Sequence, residues 1–331
     1  MSAVIRLGTR RSNLAMAQSG QVGRALERAT GRTVELVPIT SEGDVNRASL
    51  ASLGGTGIFA TRLREALLAD ECDLLVHSLK DLPTAPAPGL VVAATPKRVD
   101  ARDLIITRDG TALEDLPAGS LVGTGSPRRM AQVRRANPSV EIHDLRGNVD
   151  SRMARVRDGE LDAIVLAAAG LGRLGTEIDL HVAPRELDEW PTAAGQAVLA
   201  VEIREDAPEE LRAGVVSLTD AETAFAQAVE RFALAGIEAG CHAPVGIHAF
   251  LDGDEVRVRA DVYAPDPDDS VLLDERWSIP SGIFSGDGYS RGSGSDDATA
   301  GAHLRAREIG NEIASRLLIA GAAGLVADNP S

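Results

Sequence analysis

One of the two cysteines of this chain stands in a turn rather than in an apolar segment. Cys241 lies in the stretch EAGCHAPVG, between Gly240 and Pro244, whereas Cys72 comes just before an apolar run in ADECDLLV. A free cysteine is usually a small buried residue, which suits Cys72. A thiol in a loop is retained for its reactivity, as a nucleophile, a metal ligand or an attachment point. We therefore predict that Cys241 takes part in chemistry.

Two of these roles find little support near Cys241. A metal site needs further cysteine or histidine ligands at suitable spacing, and only His242 is close. A cysteine hydrolase needs a separate histidine as its base. The candidates for that base stand in no sequence signature that supports the role: His77, His143, His181 and His248.

Arginine is concentrated in the segment 124–157, although the net charge of the chain is −15. Arg128, Arg129 and Arg146 stand where a predicted strand meets a helix, beside glycine and small hydroxyl residues. A helix N-terminus favours an anion, and the arginine fork binds a carboxylate bidentately. Because the loops have neither a Gly-Lys-Ser/Thr ending nor a GxGxxG pattern, they predict a polycarboxylate or other polyanion rather than a nucleotide. A solvated helix face explains the remaining ones equally well: Arg134, Arg135, Arg155 and Arg157.

A second group of charged residues lies nearer the N-terminus. Arg10 and Ser12 follow the first predicted strand, and Lys80 and Asp81 end a later one in VHSLKDLP. The chain has only one other lysine, Lys97. Taken alone, a neighbouring lysine and aspartate are most simply a surface ion pair. Together with the arginine loops they favour a carboxylate set among cations, and two such rims facing each other would form a cleft.

The elements that position these residues follow an α/β pattern. Short apolar runs such as VELVPI and DLIIT alternate with helical patterns, which predicts mostly parallel sheets covered by helices. The pattern restarts near residue 100 and changes at Asp220, where a helix, a hairpin around Gly253 and one final helix follow. The segment 281–297 is dominated by Ser, Gly and Asp and predicts a surface insertion that buries little.

Composition narrows the class of protein. A net charge of −15 argues against a general nucleic-acid binder, and the apolar runs are too short to span a membrane. Two cysteines give no disulfide framework and fit a reducing cytoplasm. We expect a cytoplasmic protein with a small-molecule ligand and no nucleic-acid or membrane partner. A non-catalytic module that binds a dicarboxylate between two lobes is the main alternative to an enzyme, but it explains neither Cys241 nor Asp81.

Eight segments resemble, in order, the porphobilinogen deaminase (hydroxymethylbilane synthase) family: GTRRSNLAMAQ, GGTGIFATRLREALL, DLLVHSLKDLP, GTGSPRR, LRGNVDSRM, DAIVLAAAGLGRLG, GQAVLAVE and GCHAPVG. The resemblance implies an α/β fold of three domains. Two are α/β domains like those of periplasmic binding proteins, joined by hinge crossovers, and the third is a smaller C-terminal α/β domain. The expected boundaries are 1–99 with 198–219 for the first, 100–197 for the second and 220–331 for the third.

The resemblance also implies an activity, that of a transferase of porphyrin and haem biosynthesis. Such an enzyme joins four porphobilinogen units head to tail with loss of ammonia, and water then releases hydroxymethylbilane. The units are added to a dipyrromethane cofactor, which is bound as a thioether and would be attached to Cys241. We expect porphobilinogen as the substrate and a monomeric enzyme.

The resemblance assigns roles residue by residue. Asp81 would be the catalytic carboxylate, and Phe59 would cover the cofactor rings. Further residues on matching motif positions would hold cofactor or substrate: Arg10, Ser12, Ser78, Lys80, Thr124, Ser126, Arg128, Arg129, Arg146, Arg152, Arg173 and Gln196. No metal ligand is implied, and Arg11 is expected at the surface. The chain departs from the family at Ser52 and Thr56, where lysines are usual, at Pro127 and in the segment 281–297.

Overall fold

A computed structural model of the protein describes residues 4–40, 58–175, 178–239, 243–284 and 297–327.

The first of three sheets in this part of the chain has five strands. The strands lie in the order β2-β1-β3-β10-β4, and their bounds are Ile5–Arg10 (β1), Val34–Ile39 (β2), Leu74–Ser78 (β3), Leu90–Ala94 (β4) and Leu199–Arg204 (β10). The first three are parallel, whereas β10 is antiparallel to both of its neighbours. The accompanying helices are α1 (Asn13–Thr30), α2 (Ile58–Leu68) and α6 (Glu209–Val216).

The second sheet repeats this arrangement. Its order is β7-β6-β8-β5-β9, and its strands are Asp103–Thr107 (β5), Leu121–Gly123 (β6), Glu141–His143 (β7), Ala163–Ala167 (β8) and His181–Pro184 (β9). Here β5 takes the place that β10 has in the first sheet and is antiparallel to β8 and β9. The helices are α3 (Pro127–Ala136), α4 (Val149–Arg157) and α5 (Ala168–Leu174). Two crossings of the chain, 95–102 and 185–198, connect the two sheets.

The third sheet is antiparallel and has three strands in sequence order. They are β11 (Val245–Asp252), β12 (Glu255–Val262) and β13 (Val271–Ser278). Three helices belong to this part: α7 (Ala221–Gly236), α8 (Asp297–Ile319) and α9 (Ala322–Ala327). Ile247 N donates to Thr192 O at 2.8 Å, so β11 is bonded directly to the second crossing.

The local sequence explains where helix α1 begins and ends. Ser12 caps α1 by accepting from Ala15 N at 3.3 Å, and Gly31 ends the helix with φ 67°. The buried face of the helix includes Val22 and Leu26, which pack against β1. The core thus uses aliphatic residues, as the low aromatic content of 3% requires.

The α/β fold class is confirmed, with two five-stranded sheets and a smaller third unit. The domain boundaries at residues 99, 197 and 219 stay predictions. Sequence reading missed β4, β9, β10 and β13. Its single final helix is wrong because Gly321, with φ 102°, separates α8 from α9. No helix in the described part of the chain has the length and apolar character that crossing a membrane requires.

The segment 281–297 differs in part from the expectation. Ile283 and Phe284 pack against the core of the third sheet, and the Phe284 ring meets Phe225 edge to face at 5.4 Å. The prediction that the whole segment buries little is therefore wrong for these two residues, because a pair of apolar side chains outweighs the polar composition around it. Residues 285–296 lie outside the described part.

Candidate functional site

The loop after β3 carries the predicted catalytic carboxylate. Residues Leu79–Asp81 form one turn of 3-10 helix, in which Leu79 is buried and Asp81 is exposed. Arg231 of α7 bonds the backbone of this loop: Nη1 donates to Leu79 O at 3.2 Å and Leu82 O at 3.1 Å, and Nη2 donates to Pro83 O at 2.6 Å. The helix that precedes Cys241 in sequence therefore holds the backbone around Asp81.

Lys80 connects this loop to the second crossing. Its Nζ donates to Gln196 Oε1 at 3.2 Å. Burial lowers the pKa of the Lys80 ammonium to about 8, and the positive charge of Arg129 acts in the same direction. Gln196 is 1% exposed, and its Nε2 donates to Ala101 O at 2.7 Å and to Asp103 Oδ1 at 2.9 Å. The side chain of Gln196, on the second crossing, therefore bonds Ala101 of the first crossing, Asp103 at the start of β5 and Lys80 in the loop of Asp81.

Asp103, the first residue of β5, is the centre of a buried polar cluster. Its side chain is 0% exposed. Arg128 Nη1 donates to Oδ2 at 2.9 Å, and Arg129 donates from Nε and Nη2 to both oxygens at 3.1 and 2.6 Å. Trp190 Nε1 adds a bond to Oδ2 at 3.1 Å. Burial alone would raise the pKa of Asp103, but the two guanidinium groups hold it well below its usual range.

This cluster differs from the sequence-based picture of Arg128 and Arg129 as open anion-binding groups. Both are buried, at 3% and 7% exposure, and both already have a carboxylate partner. Arg128 Nη1 also donates to Gln132 Oε1 at 2.6 Å. Asp103 itself was missed, since an aspartate before an apolar run reads as an ordinary strand end. Its only signal was its position at the head of the fully buried strand DLIIT.

The loops before α3 and α4 approach each other closely. A methyl group at Gly125 would lie 2.9 Å from Leu145 O, so only glycine lets the two backbones come this near. Arg146 Nε lies 3.3 Å from an Asp144 oxygen, and Arg152 Nε donates to Gly147 O at 2.8 Å. Burial lowers the pKa of Arg152 to about 10, and the charges of Arg129 and Arg146 act in the same direction. Positive charge therefore accumulates at these helix starts.

The hydrogen bonds of Arg173 best test whether an anionic cofactor fits the candidate site. Its Nη2 donates to Ala197 O at 2.9 Å, but among the described residues its buried Nε has no hydrogen-bond partner. Burial lowers its pKa to about 10. A buried guanidinium with an unsatisfied donor favours an anionic ligand, because an unpaired buried charge is costly. Carboxylate groups suit Arg173 in this respect.

The N-terminus of α1 and its neighbours complete the first rim. Arg10 is half-buried at the end of β1, and Arg11 is exposed, as expected. Ser78 Oγ accepts from Gln18 Nε2 at 3.0 Å, which connects β3 to α1. On the opposite side Thr124 is buried, and its Oγ1 accepts from Ser126 N at 3.2 Å. Leu14 of α1 lies near Gly170 of α5, so the two rims meet.

Several predicted residues lie outside the described part of the chain: Cys241, Ser52, Thr56 and the side chain of Phe59. The residues on either side of the cysteine turn are placed, with Ala239 buried at 6% exposure and Ala243 packed against the core of the third sheet. Cys72 is buried, as expected, and burial raises the pKa of its thiol to about 11. Of the two cysteines, Cys72 is thus the unreactive one.

Fold and site together define an α/β protein in which two five-stranded sheets are joined by two crossings, with a cluster of Lys80, Arg128 and Arg129 around Asp103 and Gln196, an exposed carboxylate next to Lys80, and a third unit bonded to the second crossing. The family model for the porphobilinogen deaminase, dipyromethane cofactor binding domain, matches residues 5–212. A porphobilinogen deaminase of Leifsonia xyli subsp. xyli is 48% identical, with 97% of this chain and 94% of the relative covered. Porphobilinogen deaminase 1 of Streptomyces coelicolor is 47% identical, with 98% of each chain covered.

The chain belongs to the porphobilinogen deaminase family. It is thus a transferase of tetrapyrrole biosynthesis that uses a dipyrromethane cofactor. A solved structure with partial likeness is an ancestral cationic amino acid solute binding protein, 16% identical, which covers 64% of this chain and 88% of its own at a TM-score of 0.41.

Proposed function

We propose that the chain makes hydroxymethylbilane through the site between the two rims, with Asp81 as the catalytic carboxylate and Cys241 as the attachment point. The carrying observation is a group of half-buried cations, Lys80, which neighbours the exposed Asp81, together with Arg152 and Arg173. Lys80, Arg152 and Arg173 all have lowered pKa values because they lose water on burial. Cations of this kind are stabilised when they bind carboxylates.

Charge complementarity determines which ligand the rims suit. Porphobilinogen bears an acetate and a propionate group, and a dipyrromethane bears two of each. Arg146, Arg152 and Arg173 are proposed to bind such carboxylates. The acid that faces Arg146 and Arg152 is Asp144, whose single charge cannot neutralise both, and the buried Nε of Arg173 has no hydrogen-bond partner among the described residues. Arg10 and Ser12 at the N-terminus of α1 would bind from the other rim, where the helix dipole favours an anion.

Asp81 is proposed to act on the reacting unit. When ammonia leaves porphobilinogen, a cationic methylene pyrrole remains, and a nearby carboxylate stabilises that cation. The same side chain can accept a proton from a pyrrole carbon as a carboxylate, and once protonated it can deliver that proton to a departing amine. The three bonds from Arg231 to the turn fix the position from which Asp81 works. When bound, the dipyrromethane supplies the pyrrole chain to which the units are added.

The first experiment is the intact mass of the protein, before and after exposure to porphobilinogen. We expect the unaltered chain to carry an excess of two linked pyrrole units and then to show steps of one pyrrole unit. Cys241→Ala should show neither, and Cys72→Ala is the matched control that should keep both. A chain whose mass stays that of the bare polypeptide after incubation with porphobilinogen would fit a dicarboxylate-binding module instead.

Four further predictions from the sequence concern the oligomeric state, location and partners of the enzyme. We propose that it is monomeric and cytoplasmic and that it binds neither nucleic acid nor membrane. Light scattering at micromolar concentration checks the first point directly. A molar mass near twice the 34.6 kDa of one chain would contradict a monomer.

A further inference from the structure

The charge balance around Asp103 is unusual for a buried ion pair. One carboxylate serves two guanidinium groups, those of Arg128 and Arg129, and the Lys80 ammonium joins the same cluster through Gln196. Asp103 is therefore the fully buried acid described among these three cations, and the exposed Asp81 is the second acid that faces Lys80. Asp103 compensates in part for the cost of burying the two arginines.

The position of Asp103 connects the charged cluster to the loop of Asp81. The residue begins β5 immediately after the first crossing, and Gln196 belongs to the second crossing. The bonds from Gln196 to Asp103 and from Lys80 to Gln196 form a continuous polar connection from β5 to the loop of Asp81. The charged groups that face Lys80 are Arg128 and Arg129 from α3, Asp103 from β5 and the neighbouring Asp81.

We propose that Asp103 is a positioning residue of the catalytic site: it aligns Arg128 and Arg129 and, through Gln196, controls the charge of Lys80. The proposal rests on the proposed function for its effect on turnover, but not for its effect on Lys80. Asp103 touches neither the reacting atoms nor the solvent, and it acts only through side chains that it bonds. Without its negative charge, three cations would remain together with no buried counterion between them.

The scarcity of lysine makes the effect on Lys80 measurable. Lys80 and Lys97 are the only lysines, so a protein labelled with 13C at lysine Cε gives two side-chain resonances, which Lys80→Arg assigns. In the unaltered protein the Lys80 resonance should titrate near pH 8. In Asp103→Asn the loss of a nearby negative charge should lower that pKa. Lys97 is exposed, and its resonance is the internal reference, which should be the same in both proteins.

Turnover is the second readout. We expect kcat/KM of Asp103→Asn to fall by about tenfold or more, as when a partner behind a ligand-binding group is removed. The alkaline limit of activity should move to lower pH together with the Lys80 titration. The matched control is Glu202→Gln, which alters another buried carboxylate, bonded to Arg64 and His77 and to no residue of the cluster around Asp103. It should leave the Lys80 titration and turnover unchanged.

Each outcome decides between a positioning and a purely structural role. A lower melting temperature with unchanged kcat/KM and an unchanged Lys80 titration in Asp103→Asn would overturn the proposal. If that variant does not fold, Gln196→Met tests the same connection, because it removes the Lys80 acceptor without altering the arginine pair. An unchanged Lys80 titration there would also contradict the proposal. Should the unaltered protein gain no pyrrole mass, the proposed function fails while the Lys80 titration still tests Asp103.

Discussion

Arg98 donates from Nη1 and Nη2 to the two carboxylate oxygens of Glu230, at 2.8 and 2.6 Å. Arg98 belongs to the first crossing, and Glu230 belongs to α7. The same carboxylate accepts from Gly195 N of the second crossing at 2.7 Å and from Ala249 N of β11 at 3.0 Å. One fully buried acid therefore fastens the third unit to both connections between the lobes.

Removing Arg98 should destabilise the whole molecule. Arg98→Met leaves the Glu230 charge buried without its main partner, and we expect a loss of about 3–5 kcal/mol in the free energy of unfolding. Urea denaturation measures this loss. The control is Arg62→Met, because Arg62 and Glu71 form an exposed pair that should contribute about 1 kcal/mol or less. Equal losses in the two variants would show that burial of the pair is unimportant.

His248 should make stability depend on pH. Burial lowers its pKa to about 4, from 6.5 in the unfolded chain. Between these values the unfolded chain binds more protons, so stability should decrease as the pH falls from 6.5 towards 4, by up to about 1.4 kcal/mol per pH unit. His248→Gln should remove this part of the slope, as measured by denaturation at several pH values. The exposed His181→Gln is the control and should keep the slope of the unaltered protein.

Asp81→Asn should separate catalysis from folding. The exposed side chain contributes little to stability, so melting temperature and dipyrromethane content should stay unchanged. Loss of the carboxylate should lower turnover by about 10²–10⁴-fold. Asp115→Asn is a close control, because Asp115 is also an exposed aspartate that ends a 3-10 turn, Leu113–Asp115. Full activity of Asp81→Asn would exclude the residue from the mechanism.

Gly125→Ala should separate the loops before α3 and α4. The added methyl group meets Leu145 O at 2.9 Å, and a backbone atom cannot turn away as a flexible side chain can. We expect a loss of about 1–3 kcal/mol in stability and a smaller fraction of protein that carries cofactor, seen by intact mass. Gly172→Ala in α5 is the control, since its methyl group has no described atom within 4 Å. Normal cofactor content in Gly125→Ala would show that the approach of the loops is unnecessary for binding.

Local signals in the sequence were sufficient for much of the fold. VELVPI and DLIIT are β2 and β5 without any shift of their bounds. Non-local pairing escaped the sequence reading. Nothing in LAVEIR indicates that β10 inserts between β3 and β4, because the partners of a strand depend on the rest of the chain.

The candidate site shows the same limit. The residue types and their loops were identified from motifs, and the structure brings Lys80, Gln196, Arg128 and Arg129 together. Their connection through Asp103 could not be predicted, because it joins residues that are about 25 and 93 positions apart. Side-chain direction at a strand end is decided by packing rather than by local sequence.

The insertion of β10 into the first sheet has a consequence for the order in which the chain matures on the ribosome. Strands β1, β3 and β4 are synthesised before residue 95, yet β3 and β4 have no common neighbour until residues 199–204 emerge. The second sheet is continuous in sequence, from Asp103 to Pro184. We therefore expect the second sheet to fold before the first. Until β10 is available, the edges of β3 and β4 that pair with it stay without a partner. In a nascent chain stalled when residues up to 190 have emerged and 199–204 are still inside the ribosome, amides of β8 should resist hydrogen exchange and those of β3 should not.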